Sequence, residues 1–238
     1  MRTWKRTLVM LTAAALTAGA SAGTRTWDFS LNASLKEWTL TEWNDVEWKV
    51  RSARLFMTDK APGYAIVGDT DWEDYVVEAK IRGKAKNFGF GILFRVQYES
   101  ASQFQYYAFE LSVLNNQIIF KRGYKSGGSG GASATHRTPR GITLEADKWY
   151  TVRAHILGDR FQFYIDGERQ YSVQSARHLW WSSIEDRKHL AKGAVGFFSD
   201  FAEGELAYLS VTGRGIENDV YVHPGSKLAA QWAQLKLD

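Results

Sequence analysis

Along most of the chain, apolar side chains recur at every second position. Glu73–Arg82 (EDYVVEAKIR) alternates through Tyr75, Val77, Ala79 and Ile81. Phe88–Gln97 (FGFGILFRVQ) sets Phe88, Phe90, Ile92, Phe94 and Val96 on one side, and Gln103–Val113 does the same with Tyr107, Phe109, Leu111 and Val113. Trp149–Leu157 carries Val152, Ala154 and Ile156, and Arg160–Ile165 carries Phe161, Phe163 and Ile165. Gly193–Ser199 and Glu205–Val211 add Val195, Phe197, Leu209 and Val211. A period of two marks half-buried antiparallel strands. Leu157-Gly158-Asp159 and Asp166-Gly167 bracket Arg160–Ile165 as two tight hairpins, and Asn115-Asn116 turns the chain after Val113. About a dozen such strands at roughly 8–12-residue spacing predict an all-β sandwich of two antiparallel sheets over residues 24–213.

Two segments depart from the alternation. Lys125–Gly141 (KSGGSGGASATHRTPRG) is dominated by small residues and predicts a mobile loop inside the domain. In the tail, residues 214–238, Leu228, Trp232 and Leu235 stand at helical spacing. They predict a short C-terminal helix, docked on the sandwich or offered to a protein partner.

The first residues read as an export signal. Arg2, Lys5 and Arg6 precede an apolar stretch, and Ala20-Ser21-Ala22 offers the small-residue pattern of a cleavage site before Gly23. The apolar stretch is too short to span roughly 30 Å of hydrocarbon. The expectation is a signal peptide over residues 1–22, a secreted or periplasmic product, and no transmembrane segment in the mature chain. The formal charge of +4 falls by three once Arg2, Lys5 and Arg6 leave, so the electrostatic case for nucleic acid weakens. The absence of cysteine removes disulfides, thiolate metal sites and thiol nucleophiles together.

Several segments in order carry a resemblance. Trp149–Gly167 (WYTVRAHILGDRFQFYIDG) is a strand opened by Trp, a Gly turn, a second strand and an Asp-Gly turn. Upstream lie WKVRSARLFM, the strand Tyr75–Ile81, FGFGILFRVQ and YYAFEL; downstream comes GAVGFF. This order resembles the concanavalin A-like superfamily of lectin and glucanase sandwiches, and is most similar to its laminin G-like and 3-keto-disaccharide hydrolase-like members. The resemblance implies a jelly roll whose concave sheet holds a saccharide or polysaccharide. It also admits a structural calcium ion, although no D-x-D-x-D-G loop is present; no other cofactor is expected. The E-x-D-x-x-E strand of family 16 glycanases is absent: Glu73 and Asp74 are adjacent, and Gly204 stands between Glu203 and Glu205. The R-x-E-x-R and Q-x-H strands of jelly-roll alginate lyases are absent as well.

The polar sides of the strands supply the candidate ligand-binding residues. Arg95 and Gln97, Tyr106 and Glu110, Arg153 and His155, Gln162 and Tyr164, and Asp200 alternate against the apolar set. Placed on one sheet, they would present guanidinium, carboxylate, amide and aromatic groups of the kind sugars engage. Gly89, Gly91 and Ala108 would leave room for a ligand or ease sheet curvature. Trp180 and Trp181 would form a stacking platform at the rim or a loop anchor. Three readings follow: a non-catalytic carbohydrate-binding module, a hydrolase or lyase using Glu110, His155 or Asp200, and an envelope protein-interaction domain.

Overall fold

The computed structural model describes residues 22–29, 35–41, 46–58, 61–84, 89–174, 189–201 and 203–218. All of the expected signal peptide but Ala22, the C-terminal helix and Trp180 with Trp181 lie outside these residues.

Where the alternation is strictest, each strand is buried on one face. β6 (Tyr75–Gly83) buries Tyr75, Val77, Ala79 and Ile81, and β11 (Tyr150–Leu157) buries Tyr150, Val152, Ala154 and Ile156. β12 (Arg160–Ile165) buries Phe161, Phe163 and Ile165. The turn joining it to β13 (Glu168–Val173) places Asp166 at φ 49° and Gly167 at φ 86°, the left-handed pair that a two-residue hairpin requires.

With β1 (Ala22–Asp28), β3 (Trp48–Arg51), β4 (Arg54–Met57) and β15 (Gly204–Arg214), these strands form an eight-stranded antiparallel sheet. Its order is β13-β12-β11-β6-β15-β4-β3, and β1 pairs with the later part of β15. The second sheet has seven strands. It contains β2 (Thr39–Thr41), β5 (Gly63–Val67), β7 (Gly89–Ser100), β8 (Gln103–Ser112), β9 (Gln117–Ser126), β10 (Ser129–Arg137) and β14 (Ala194–Ser199), in the order β10-β9-β8-β7-β14-β5-β2. The only helical turn among the described residues is the 3-10 segment Leu35–Glu37.

The inner faces of the two sheets meet in an aromatic core. Phe163 stacks on Phe109 at 4.5 Å with rings 7° apart, and Phe94 meets Phe161 edge-on at 5.2 Å. Each such ring removed from water stabilises the fold by about 2–3 kcal/mol. Trp27 and Trp38 close one part of this core, and Trp48 packs edge-on against Phe197. Trp149 instead lies half-buried beneath the guanidinium groups of Arg54 and Arg82.

Two expectations are corrected here. Most of the segment read as a mobile loop is the end of β9, a tight turn and β10, an edge strand in register with β9 from Ser126↔Ser129 to Ile118↔Arg137; residues 138–141 follow β10 and fall outside the strands. Its small residues suit an edge strand that packs little side-chain volume. Phe94 and Val96 also do not share a face. A bulge sets Arg95 and Val96 opposite the single residue Tyr106, with Arg95 at φ 49°, so Phe94 faces the core and Val96 the outside of the sheet.

Candidate functional site

The middle of the seven-stranded sheet is buried on both faces. β5 (GYAIV) and β14 (AVGFFS) have every residue buried, and the register shows what occupies their outer side. Tyr64 of β5 opposes Phe198 of β14, which opposes Gly91 of β7, which opposes Glu110 of β8. Tyr106 and Phe104, four and six residues before Glu110 on β8, complete an aromatic floor with Tyr64 and Phe198. Tyr64 stacks on Phe198 at 6.1 Å and meets Phe104 edge-on at 5.2 Å. The Tyr64 and Tyr106 hydroxyls are 3.4 Å apart. Burial pushes the Tyr64 phenol up to about 12 and raises Tyr106 as well, so both keep their protons at neutral pH.

An ionic cluster is set into this floor. Lys121 of β9 is in ion-pair contact with Glu110, and its ammonium donates to Asp200 Oδ2 at 3.1 Å while lying 5.9 Å above the Phe198 ring. Asp200 is fixed at the end of β14, where its backbone N donates to Gly89 O at 2.8 Å. Glu110 Oε2 is buried without a well-aligned hydrogen-bond donor, although Lys121 pairs with it by charge. Burial raises the Glu110 carboxyl above its usual range, with Lys121 opposing that shift. Lys121 is held above its ordinary value because Glu110 and Asp200 outweigh its own burial. Of the glycines expected to leave room for a ligand, Gly89 makes room for the Glu110 carboxyl and Gly91 for the backbone of β8 at Phe109 O; Gly123, on β9, likewise makes room for the Tyr106 ring.

Of the residues expected from sequence, Tyr106, Glu110 and Asp200 therefore share one face. The others do not join them. Arg153, His155, Gln162 and Tyr164 alternate outward on β11 and β12, which belong to the eight-stranded sheet, so they stand on the opposite outside of the sandwich. There Arg153 Nε donates to Glu78 Oε2 at 2.7 Å, Tyr208 donates to Glu78 Oε1 at 2.8 Å, and His155 packs against Tyr164 at 4.8 Å. Burial first, and then Arg153, lowers the His155 pKa.

Arg95 and Gln97 are corrected too. Arg95 is 1% exposed, and the bulge turns its side chain toward the core. It donates to Leu190 O at 3.0 Å and Glu73 O at 3.2 Å, contacts His189 Nε2 at 3.0 Å, and lies 3.6 Å from Asp74. A guanidinium only donates, so Nε2 of His189 accepts and Nδ1 carries its proton toward Tyr107 Oη, 3.1 Å away. Arg95 thus works with Tyr107 beneath the sheet, not with Tyr106 above it. Gln97 is pinned by Thr70 O and Lys192 O, each at 2.8 Å.

Sequence reasoning missed Lys121, Tyr64, Phe104 and Phe198. The available signal was the unbroken apolar run of GYAIV and AVGFF, which marks a strand buried on both faces. Among the described residues no group of three or more His, Asp or Glu is placed to hold a metal ion, and no helix is long and apolar enough to cross a membrane.

Comparison with known proteins gives the following likenesses. Residues 27–205 match the model of the 3-keto-alpha-glucoside-1,2-lyase-like domain. No curated protein matches the chain. Among solved structures, carbohydrate binding module CBM66 from Bacillus subtilis superposes with a TM-score of 0.54 at 14% identity, covering 71% of this chain and 91% of that one. The Bacillus licheniformis beta-glucanase superposes with a TM-score of 0.54 at 9% identity, covering 81% and 99%. At these identities the likeness is one of fold: a concanavalin A-like jelly roll.

Proposed function

The chain belongs to the 3-keto-alpha-glucoside-1,2-lyase-like domain family, and from that premise we propose a secreted domain that recognises a saccharide on the outer face of its seven-stranded sheet. The observation that carries this reading is the Glu110–Lys121–Asp200 cluster set into the Tyr64–Phe104–Tyr106–Phe198 floor. A sheet face with no ligand is ordinarily solvated and bears scattered polar residues. Partly burying three charges is costly in desolvation, and it leaves directional donors and acceptors where vicinal hydroxyls would engage them. The side chains of Lys121 and Asp200 are 16% and 26% exposed, so they are the members a sugar would meet first. The binding module and the glucanase that share the fold are named for carbohydrate, which supports the same class of ligand. Calorimetric titration with neutral oligosaccharides and 3-keto-glucosides tests the reading. Asp200→Ala should weaken binding at least about tenfold, the loss of one charge-assisted hydrogen bond. Unchanged affinity in that variant would move the site elsewhere.

The raised pKa of Glu110 favours a second reading, elimination across C1 and C2 of a 3-keto-glucoside. The ketone acidifies the hydrogen at C2. A carboxylate would take that proton, and the electron pair left behind would form the C1–C2 double bond and expel the C1 oxygen substituent. That oxygen would leave as an alcohol with the proton the carboxyl had taken. Glu110 suits the base because its carboxyl is buried and raised, and Lys121 beside it would hydrogen-bond the enolate oxygen. Product formation from a 3-keto-glucoside that stops in Glu110→Gln, with binding retained, supports this reading. Binding without turnover leaves recognition as the function.

Export rests on residues 1–22. The exported protein should begin at Gly23, and an intact mass that retains the leader would overturn the secretion reading.

A further inference from the structure

A second concave site lies where the edges of the two sheets meet, away from the Glu110–Lys121–Asp200 face. β10 and β13 are the edge strands on the same side of the sandwich, and a cavity of about 460 Å³ opens between the end of β10 and the outer side of β13. That volume falls in the range of small-molecule sites, about 300–1,000 Å³. Three arginines line it: Arg137 at the end of β10, Arg140 in the segment that follows, and Arg169 on β13. The remaining lining residues include Thr138 and Ser172, and no carboxylate is among them.

Two of the three arginines are anchored by neutral contacts. Arg140 is clasped through its backbone: its N–H donates to Gln170 Oε1 at 2.7 Å, and Gln170 Nε2 donates to Arg140 O at 3.3 Å. Gln170 is 4% exposed, so this clasp is a buried hinge between the edges of the two sheets. The Arg137 guanidinium lies 5.3 Å from the centre of the Tyr171 ring and donates from Nη1 to His136 O at 2.9 Å. Tyr171 is itself stacked on core Phe163. Elsewhere in this protein, cationic side chains meet acids: Arg153 pairs with Glu78, Arg82 with Glu205, and Lys121 with Glu110 and Asp200. Among the described residues Arg137, Arg140 and Arg169 form no ion pair. Arginine does not lose its charge at any ordinary pH, so the cavity carries three permanent positive charges with the acceptor still to come.

We propose that this cavity is a subsite for an anionic sugar residue, one bearing a carboxylate or a sulfate ester. The guanidinium groups of Arg137, Arg140 and Arg169 would engage the anion, and the hydroxyls of Thr138 and Ser172 its ring hydroxyls. That the anion rides on a sugar rests on the saccharide reading above; that an anion binds here does not.

The test is titration of the full mature chain with polygalacturonate, dextran sulfate, uncharged dextran and single-stranded DNA, with inorganic sulfate as a free-anion control. The expected result is binding of one acidic polysaccharide in preference to dextran and DNA, weakened about tenfold by Arg140→Ala and again by Arg169→Ala. Polygalacturonate against dextran sulfate distinguishes the two anions. Arg214→Ala, an exposed charge outside the cavity, controls for net charge and should leave binding unchanged. Equal loss in the Arg214 variant, equal binding of DNA, or unchanged binding in the Arg140 and Arg169 variants overturns the subsite. Binding of inorganic sulfate at this site without any polysaccharide would retain the anion site and reject its sugar ligand. Loss of neutral-sugar binding in Asp200→Ala reports on the other face alone, so the two readings fail separately.

Discussion

Lys121 on β9 and Glu110 on β8 form an ion pair on the outer face of the seven-stranded sheet, and Asp200 closes on the same ammonium from the end of β14. Removing the cation leaves two acids on a largely buried face. Breaking a fully buried pair costs about 3–5 kcal/mol, and the 16% exposure of Lys121 lowers that to about 2–4 kcal/mol for Lys121→Met. Adding Glu110→Gln should return part of the loss, because the orphaned charge is then gone. Urea unfolding of the two single variants and the double variant measures the coupling. A loss below about 1 kcal/mol in Lys121→Met would mean that solvent already screens the cluster.

Glu205 sets the acid limb of stability. Burial tends to raise its carboxyl, but the hydrogen bond from Arg82 Nη2 at 2.7 Å and the Lys84 ammonium at 3.1 Å outweigh burial and hold it below its usual value. A depressed acid contributes stability that is complete above its unfolded pKa and is lost as pH falls through its folded pKa. The expected window therefore lies below about pH 4–5. Glu110 has the opposite slope: its raised carboxyl holds its proton more tightly in the fold, so its ionisation costs stability as pH rises from the same window. Glu205→Gln should be less stable at pH 7 yet show a flatter acid limb in thermal melts between pH 3 and 7. An unchanged limb would assign the acid sensitivity to other carboxylates.

Alternation revealed which side of its own strand each residue occupies, and β6, β11 and β12 follow it residue by residue. It does not reveal which sheet a strand joins. Arg153 and Glu110 both point away from the core, yet the whole sandwich separates them. A bulge defeats the pattern in another way, because one extra residue at Arg95 inverts the parity of everything after it on β7. Lys121 was illegible for a third reason. On a two-sided buried strand the apolar run carries no phase, so nothing in QIIFKRGYKS says whether its lysine is solvated or paired inside a cluster.

β10 gives a direct check on the edge of the seven-stranded sheet. Its composition suggests a loop, but its backbone is paired with β9 along its length. Amides of β10 that donate to β9 should exchange slowly, and those that face outward should exchange fast. Trypsin should spare Lys125, which is 5% exposed, and should not make its first cut there. Rapid exchange throughout Ser129–Arg137, with early cleavage at Lys125, would restore the loop reading.

Arg95 offers the sharpest separation of structure from recognition. Its guanidinium has two carbonyl acceptors, a histidine nitrogen and a nearby carboxylate, all around a side chain 1% exposed. Burial lowers its pKa, and Tyr75 and Asp74 are the first of the groups that oppose that shift. Arg95→Ala would leave Leu190 O and Glu73 O without donors and open a void beside Phe161, where the guanidinium now lies 5.3 Å from the ring centre. The expected loss is about 3–5 kcal/mol by chemical denaturation. Arg95→Lys should recover little, since one ammonium cannot reach acceptors that the planar fork meets in different directions. Saccharide affinity of the folded fraction should stay the same, because Arg95 lies beneath the sheet and the proposed groove above it. A fully stable Arg95→Ala protein that has lost saccharide binding would reverse this assignment and return Arg95 to the binding face.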